Sequence, residues 1–311
     1  MTLAEKKFFT KKHYESIKGL STPRLSELVV HSLELVSLLS FYGLKFRFKG
    51  GNSLFLILDK PERFSIDVDI ATSEPKEKIK DIIDKIIGKS VFKRYETREP
   101  KTKPWLPMIS FNLYFNSFYD ENSFIMLDVI LKESPYEGQR VKIECKEIYR
   151  SEQTVEVPTV SGIIGDKLLT IGPSTLGIPL GKNKEAQRLN KEAQRLKHIF
   201  DISRLSKKGY EKNKVLKSFL GCFEQEKEIQ NKNNININEV IEDTILFCSQ
   251  TLELKDTNFT KLTPNTYAYE IAKGFEEFKS HIFSREYNLE ELKKDSQEVI
   301  KILKEIKESL K

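Results

Sequence analysis

Two aspartates separated by one residue, Asp67 and Asp69, stand in the segment FSIDVDIAT, where apolar and polar residues alternate. Alternation with a period of two predicts a strand, and it places both carboxylates on the same side of that strand. Two close carboxylates repel each other, and a divalent cation that prefers oxygen ligands, Mg²⁺ or Mn²⁺, is the simplest compensation. The alternative for a bare D-x-D pair is a strand whose polar side faces water.

A third carboxylate, Asp128, is the single acidic residue of the apolar segment FIMLDVIL, which also predicts a strand. Burying a carboxylate without a partner is costly, so this position calls for a neighbouring compensating charge. If this strand lies beside the strand of Asp67 and Asp69, three carboxylates converge. Such a set can hold two metal ions, which clamp a triphosphate and activate an attacking hydroxyl.

A glycine pair precedes the acidic segment, in the sequence KGGNS at 49–53. We expect a strand-to-helix turn here, because glycine allows the backbone to approach a ligand closely and a helix N-terminus favours phosphate. Arg63 and Ser65 lie between this turn and Asp67. The local pattern therefore indicates an anion site beside a metal site.

The histidines and cysteines are few and scattered, and no pair has the spacing of a zinc site or of a disulfide framework. We expect the three cysteines to be buried and inert, and any metal to be held by oxygen. No segment approaches the apolar run of about 18 residues that spans a membrane, and the N-terminus has no signal-peptide pattern. A cytoplasmic protein with no membrane partner is expected.

The elements that must position these residues change character along the chain. A helix is predicted at 23–42, capped by Ser21 or Thr22 and ended by Gly43. A mixture of strands and helices follows, and beyond Ser161 the pattern is almost wholly helical. The further predicted segments are the strands KFRFKGG, VFKRYET, ISFNLYF, VKIECKEI and QTVEVPTV and the helices NSLFLILD and PKEKIKDIIDKII. This order predicts an α+β fold with an α/β domain at 1–160 and a mainly helical domain at 161–311.

The helical part contains a tandem NKEAQRL, at 183–189 and 190–196, which predicts one lengthened amphipathic helix. GPSTLGIPLG and QNKNNININ predict loops. The net charge of +6 is concentrated between 182 and 212, where ten basic residues stand against four acidic ones. This basic segment is typical of a polyphosphate or nucleic-acid partner, with a solvated lysine-rich helix face as the alternative.

Four segments, in order, carry a family resemblance. KGGNSLFLILDKPERFSIDVDI resembles the first motif of the AbiEii/AbiGii toxin family, commonly KGG-[ST]-x-L followed by R-x-S-x-D-[IVL]-D. LDVIL is similar to the third acidic strand of the superfamily, GDKLLTIGPSTLGI to the lysine motif, and KHIFDISRL to the helix [KR]-x-x-x-D-[IL]-x-x-L. The resemblance covers about 46–205. This family includes MenT-like enzymes and belongs to the DNA polymerase β nucleotidyltransferase superfamily.

The resemblance implies a fold and a site. The fold would be a mixed-sheet, polymerase β-like nucleotidyltransferase core with a C-terminal helical domain that completes the cleft. Asp67, Asp69 and Asp128 would hold the metal, and Asp128 would also accept the proton of the attacking group. The implied nucleotide-binding residues are Gly50, Gly51, Ser53, Arg63, Ser65, Lys167, Lys197 and Asp201, with Lys167 neutralising triphosphate charge.

Some of these assignments stay open. Arg63 fits a phosphate contact or a partner that holds the acidic strand, and Asp201 fits an ion pair within its helix as well as a site residue. Asn52 departs from the motif, where Thr or Ser is common, although Ser53 beside it carries a hydroxyl. The tandem repeat also lengthens the segment between Lys167 and Asp201, which is a second departure from the family pattern.

The leading hypothesis is transfer of a nucleoside monophosphate from an NTP to an acceptor hydroxyl. The resemblance favours a tRNA 3′ end as the acceptor and a toxin with a cognate antitoxin as the role, and the basic segment agrees with an RNA acceptor. An enzyme of the same fold that nucleotidylates a protein side chain is one alternative. A non-catalytic nucleotide-binding module is another, against which three acidic residues in a core argue.

Overall fold

A computed structural model describes residues 1–17, 22–98, 106–180, 191–283 and 286–310. The chain divides into two compact units, Met1–Thr159 and Val160–Lys311. The predicted first copy of the tandem repeat and the basic residues between 182 and 190 lie outside the described residues. None of the helices that the structure describes is long and apolar enough to cross a membrane.

The first unit is a seven-stranded mixed sheet with helices. Its helices are α1 (Lys11–Ser16), α2 (Pro23–Phe41), α3 (Leu54–Ile57) and α4 (Lys76–Ile86). Its strands are β1 (Arg47–Lys49), β2 (Val68–Ala71), β3 (Phe92–Arg98), β4 (Met108–Phe115), β5 (Phe124–Ile130), β6 (Gly138–Cys145) and β7 (Tyr149–Pro158).

The strand order is β3-β4-β5-β2-β1-β7-β6. β2 pairs antiparallel with β1 and parallel with β5, and β1 pairs parallel with β7, so the sheet is mixed as predicted. In β4 the residues at 109, 111, 113 and 115 are buried, whereas Ser110 and Tyr114 on the other side are half-buried. We call the side of the sheet that carries Ser110 and Tyr114 the polar face.

The helix α2 covers the opposite side of the sheet. It begins as the sequence predicts: Pro23 occupies the first turn, and the Leu25 N–H donates to the Thr22 hydroxyl. It ends before Gly43, whose φ of +77° is a left-handed conformation that glycine adopts without strain. All side chains from Ser26 to Leu39 are buried. This helix therefore supplies much of the core beneath the sheet.

β2 is shorter than predicted. The alternating pattern indicated a strand across 64–72, but the observed strand is Val68–Ala71, so Asp67 precedes it. β1 ends at Lys49, opposite Asp69, because Gly50 turns the chain away with a φ of +73°. On the other side of β2, the pairing with β5 begins at Val68, which is the partner of Leu127.

The second unit is mainly helical, as predicted. Its helices are α5 (Val160–Leu168), α6 (Lys191–Lys208), α7 (Lys212–Gln230), α8 (Ile237–Glu253), α9 (Tyr267–Lys279) and α10 (Leu289–Ser309). α6 packs against α5, α9 and α10, and it contributes the buried side chains of Ala193, Leu196 and Phe200. The described part of the first predicted loop, 172–180, contains no helix or strand. The second loop is shorter than the predicted 230–238, because α7 ends at Gln230 and α8 begins at Ile237. Cys145, Cys222 and Cys248 are free and buried, as expected.

Candidate active site

Polar residues line up across five neighbouring strands on the polar face. Lys49 of β1 is the register partner of Asp69, and Asp69 is the partner of Asp128 on β5. Asp128 in turn pairs with Ser110 of β4, and Ser110 pairs with Arg98 of β3. Register partners lie about 4.8 Å apart and point to the same side of a sheet. The predicted adjacency of the strands carrying Asp69 and Asp128 is therefore observed.

Asp128 is half-buried, and its surroundings change the pKa of its carboxyl group. Burial raises the pKa of the Asp128 carboxyl, while a hydrogen bond from the Ser110 hydroxyl and the positive charge of Arg98 act to lower it. A carboxylate whose pKa is raised by burial holds a proton more readily than one in water. This environment suits a group that accepts a proton from an attacking hydroxyl.

The glycine turn closes over the acidic segment. A methyl group added at Gly50 would overlap the Asp69 carboxylate. One added at Gly51 would come within 2.6 Å of the Arg63 guanidinium and 2.7 Å of the Ser65 hydroxyl. A side chain at Gly50 would therefore displace Asp69, and one at Gly51 would require Arg63 and Ser65 to shift. The structure thus brings Gly50, Gly51, Arg63, Ser65 and Asp69 together, although twelve residues or more separate the turn from the acidic segment in the sequence.

Two residues of the turn are fully buried, Asn52 and Ser53, each with an exposure of 0%. The Ser53 hydroxyl donates to the Gly50 carbonyl at 2.9 Å, which stabilises the turn. Neither polar atom of the Asn52 side chain has a hydrogen-bond partner in the structure. Arg63 is also buried, and its guanidinium donates to the Phe64 carbonyl at 2.7 Å. That contact is of the kind expected of a residue that holds the acidic segment.

The donor atoms fit a hard divalent cation. Asp67, Asp69 and Asp128 are all half-buried and offer carboxylate oxygens, the ligands that Mg²⁺ and Mn²⁺ prefer. Asp69 and Asp128 are direct neighbours in the sheet. In the described part of the chain no three side chains of His, Cys, Asp or Glu already stand in a ligand cluster. Metal ligation by the three aspartates therefore stays a prediction.

The predicted site residues of the second unit form a buried cluster of their own. The Lys167 ammonium on α5 lies 2.8 Å from the Asp201 carboxylate on α6, with side-chain exposures of 4% and 1%. The His198 ring nitrogen Nδ1 lies 3.5 Å from the same ammonium. Lys197 is 8% exposed. Asp201 thus has an ion-pair partner on a neighbouring helix.

The basic segment is not a continuous surface. Arg195 is fully buried, where it pairs with Glu270 at 3.2 Å and donates to the carbonyls of Ile178 and Pro179. Arg204 is buried beside Asp295 at 3.0 Å. These arginines belong to the core of the helical unit, because burial forces a charge to find a partner. The sequence interpretation of 182–212 as an electrostatic footprint is wrong for them.

Three residues that lie beside the aspartates were not predicted from the sequence as part of the site. Lys49 lies inside the recognised motif, so its position before the glycines was the available signal. Ser110 and Arg98 belong to strands that show only alternation, and their approach to Asp128 depends on strand order and register. Alternation alone does not give that register, which decides which residues of paired strands lie opposite each other.

The arrangement of the sheet and its aspartates places the chain in a known class of fold. It is similar to the structure of MenT4, a nucleotidyltransferase toxin from Mycobacterium tuberculosis, with a TM-score of 0.53, 14% identity, and coverage of 95% of this chain and 98% of that one. The fold is therefore the α+β nucleotidyltransferase fold expected from the sequence.

The family follows from the sequence itself. The model of the nucleotidyl transferase AbiEii toxin family, type IV toxin–antitoxin system, matches residues 35–288. The chain belongs to this family and is a nucleotidyltransferase toxin, which confirms the resemblance. A comparison with curated protein sequences finds no significant match.

Proposed function

We propose that the enzyme transfers a nucleoside monophosphate from an NTP to a hydroxyl at the 3′ end of an RNA, with tRNA as the favoured acceptor. The observation that carries this proposal is the register of Asp69 with Asp128 under the glycine turn. The toxin would act in the cytoplasm, where both substrates are present, and a cognate antitoxin protein would counter it. Membership of a type IV toxin–antitoxin family supports that role.

Asp67, Asp69 and Asp128 would hold Mg²⁺ or Mn²⁺, since three half-buried carboxylates offer the right donor atoms. A bound divalent cation supplies charge neutralisation at the phosphates and favours ionisation of the attacking hydroxyl. Lys49 lies next to Asp69 in the sheet and offsets part of the negative charge of the cluster.

The proposed reaction is an in-line displacement at the α-phosphorus. The acceptor oxygen forms a bond to the α-phosphorus, the bond from that phosphorus to the bridging oxygen breaks, and pyrophosphate leaves. Asp128 accepts the proton of the acceptor hydroxyl, in keeping with the pKa that burial raises. Positioning and electrostatics supply most of such catalysis, so no nucleophilic Cys or His is required.

The phosphates would lie against the glycine turn. Gly50 and Gly51 allow close approach of the backbone, and Ser53 and Ser65 stabilise or border the turn from within. Arg63 either contacts a phosphate or holds the acidic segment, and its hydrogen bond to the Phe64 carbonyl favours the second role.

Lys167, Lys197 and Asp201 are proposed as the contribution of the helical unit to nucleotide binding. Lys167 carries a positive charge that would neutralise the triphosphate. Asp201, paired with it at 2.8 Å, would fix the position of the ammonium group. The role of Lys167, Lys197 and Asp201 can be tested separately from that of the aspartates. Substitution of any of these three residues should raise the KM for NTP.

The test is incubation of the purified protein with Mg²⁺, total tRNA and each labelled NTP in turn. A variant carrying Asp67→Asn and Asp69→Asn removes two proposed metal ligands and should transfer nothing. Asp120→Asn is a matched control, because Asp120 is a carboxylate of the same unit that pairs with Arg24 instead. The control should transfer at the wild-type rate.

The outcome also identifies the substrates. Label on RNA with the wild type and the control, and none with the double variant, supports the proposal and names the base. Label on protein alone would show that the acceptor is a protein side chain and not an RNA. No label with any NTP from a protein that still binds nucleotide would refute transfer to either acceptor.

A further inference from the structure

A cluster of exposed and half-buried side chains continues the aspartate row toward the β3 edge of the sheet. Arg94, Glu96 and Arg98 of β3 are the register partners of Tyr114, Asn112 and Ser110 of β4. Since Ser110 pairs with Asp128, all of these residues lie on the polar face. We call Arg94, Glu96, Arg98, Tyr114 and Phe124 the β3 cluster.

Arg94 is held flat within this cluster. The centre of its guanidinium lies 3.4 Å from the centroid of the Tyr114 ring, and the Tyr114 and Phe124 rings are 5.1 Å apart. Glu96 accepts a hydrogen bond from Arg94 at 2.8 Å and one from the Tyr114 hydroxyl at 2.8 Å. The Arg94 side chain is nevertheless 53% exposed. One planar side of a pre-organised guanidinium is thus available for stacking.

The two arginines of the β3 cluster differ in net charge and in position. Glu96 neutralises Arg94, which therefore offers a stacking surface more than a net charge. Arg98 is exposed and lies two strands from Asp128, about 10 Å away at the usual strand spacing. An arginine at that distance from the reacting centre is placed to contact a phosphate of a bound strand. Arg94 lies about 13 Å farther along β3.

We infer that the β3 cluster binds the single-stranded 3′ end of the RNA acceptor, with a base stacked on Arg94 and a phosphate on Arg98. This inference rests on the proposed function. Single-stranded RNA is recognised by stacking on aromatic rings or guanidinium planes together with phosphate contacts, and the cluster offers both. The row of polar residues connects it to Asp128, so a strand bound there ends at the proposed catalytic carboxylate.

The experiment uses the variants Arg94→Ala and Arg98→Ala in the full chain. Arg150→Ala is the control, because Arg150 is an exposed arginine of β7, three strands from β5 toward the opposite edge of the sheet, and pairs with Glu144 at 2.8 Å. The steady-state KM for total tRNA and for NTP is measured with each protein. The affinity for a short fluorescent single-stranded RNA is measured at several salt concentrations.

Arg94→Ala and Arg98→Ala should each raise the KM for tRNA about tenfold, the loss expected of one stacking or phosphate contact. The KM for NTP and the melting temperature should stay at the wild-type values. Arg98→Ala should also reduce the slope of log affinity against log salt by about 0.7, whereas Arg94→Ala should leave it unchanged. Arg150→Ala should match the wild type in every measurement.

An unchanged KM for tRNA in both variants overturns the inference, as does an equal loss in Arg150→Ala. A fall in kcat with an unchanged KM for tRNA overturns it for Arg98, which would then act on Asp128 instead. Transfer to protein in place of RNA overturns it as well. The proposed function fails separately, when the wild type itself labels no RNA.

Discussion

Gly50 connects the glycine turn to the aspartates of the proposed site through a steric contact with Asp69. It combines a φ of +73° with direct contact to Asp69, so two independent restrictions exclude a side chain there. The sequence predicted the importance of this glycine and of Asp67, Asp69 and Asp128 from local pattern. It did not predict Lys49, Ser110 and Arg98 as their neighbours, because that proximity depends on which strands pair and in which register.

Gly50→Ala should abolish most transfer activity, with Gly88→Ala as the matched control. Both glycines have a φ of +73°, but a methyl group at Gly88 meets nothing within 4 Å. Each variant should lose about 1–2 kcal/mol of stability from backbone strain. Only Gly50→Ala displaces Asp69, and a shift of about 1 Å can reduce the rate about a hundredfold. Urea unfolding and the transfer rate separate the two effects, and equal rates in both variants would contradict the account.

The helices and strands show which structural features the periodicity of apolar residues predicts and which it does not. The helix α2 has the predicted cap and end because Thr22, Pro23 and Gly43 act locally. β2 begins later than predicted, because alternation extends beyond the residues that pair with β1 and β5. In the described part of α6 the predicted apolar residues Ala193, Leu196 and Phe200 are buried, and Arg195 is buried as well. A charged residue gives no local sign that its partner, here Glu270 on α9, will be supplied by a distant helix.

Arg195→Met should destabilise the helical unit strongly. The substitution leaves Glu270 buried without its partner and removes donors to the Ile178 and Pro179 carbonyls, at a cost of about 3–5 kcal/mol. Lys301→Met is the control, since Lys301 is 60% exposed and pairs with Glu298 at 3.6 Å. Its loss should cost at most about 1 kcal/mol. Urea unfolding followed by circular dichroism measures both, and similar costs would rule out a structural role for the buried pair.

The whole chain combines a mixed-sheet unit and a helical unit, Met1–Thr159 and Val160–Lys311. The change from alternating to helical periodicity near Ser161 predicted these two classes of structure, because each class has its own apolar period. Strand order was not predictable in this way. It follows from which strands pair, and the family resemblance implied a mixed sheet without giving the order of its strands.

Acid should unfold the protein in part through His31. Its ring stacks on Phe115 at 3.8 Å between centroids, and burial lowers the pKa of His31 to about 4. The unfolded chain therefore takes up a proton at higher pH than the folded one. The stability from this residue is fully present above about pH 6.5, and about 3 kcal/mol of it is lost as the pH falls to about 4.

His31→Phe should remove this loss while keeping the stacking. Burial raises the pKa of Glu34, which acts in the opposite direction, so the variant must be compared with the wild type at each pH. As the pH falls from 7 to 4.5, the unfolding free energy of the variant should increase relative to that of the wild type. A difference that stays constant across that range would exclude His31 as the source.

The most direct measurement is the mass of the tRNA 3′ end after incubation with Mg²⁺ and NTP, together with the pyrophosphate released. The wild type should add whole nucleoside monophosphate residues and release one pyrophosphate for each, and Asp128→Asn should do neither. An unchanged mass with the wild type, or normal addition by Asp128→Asn, would contradict transfer at the paired aspartates of the polar face.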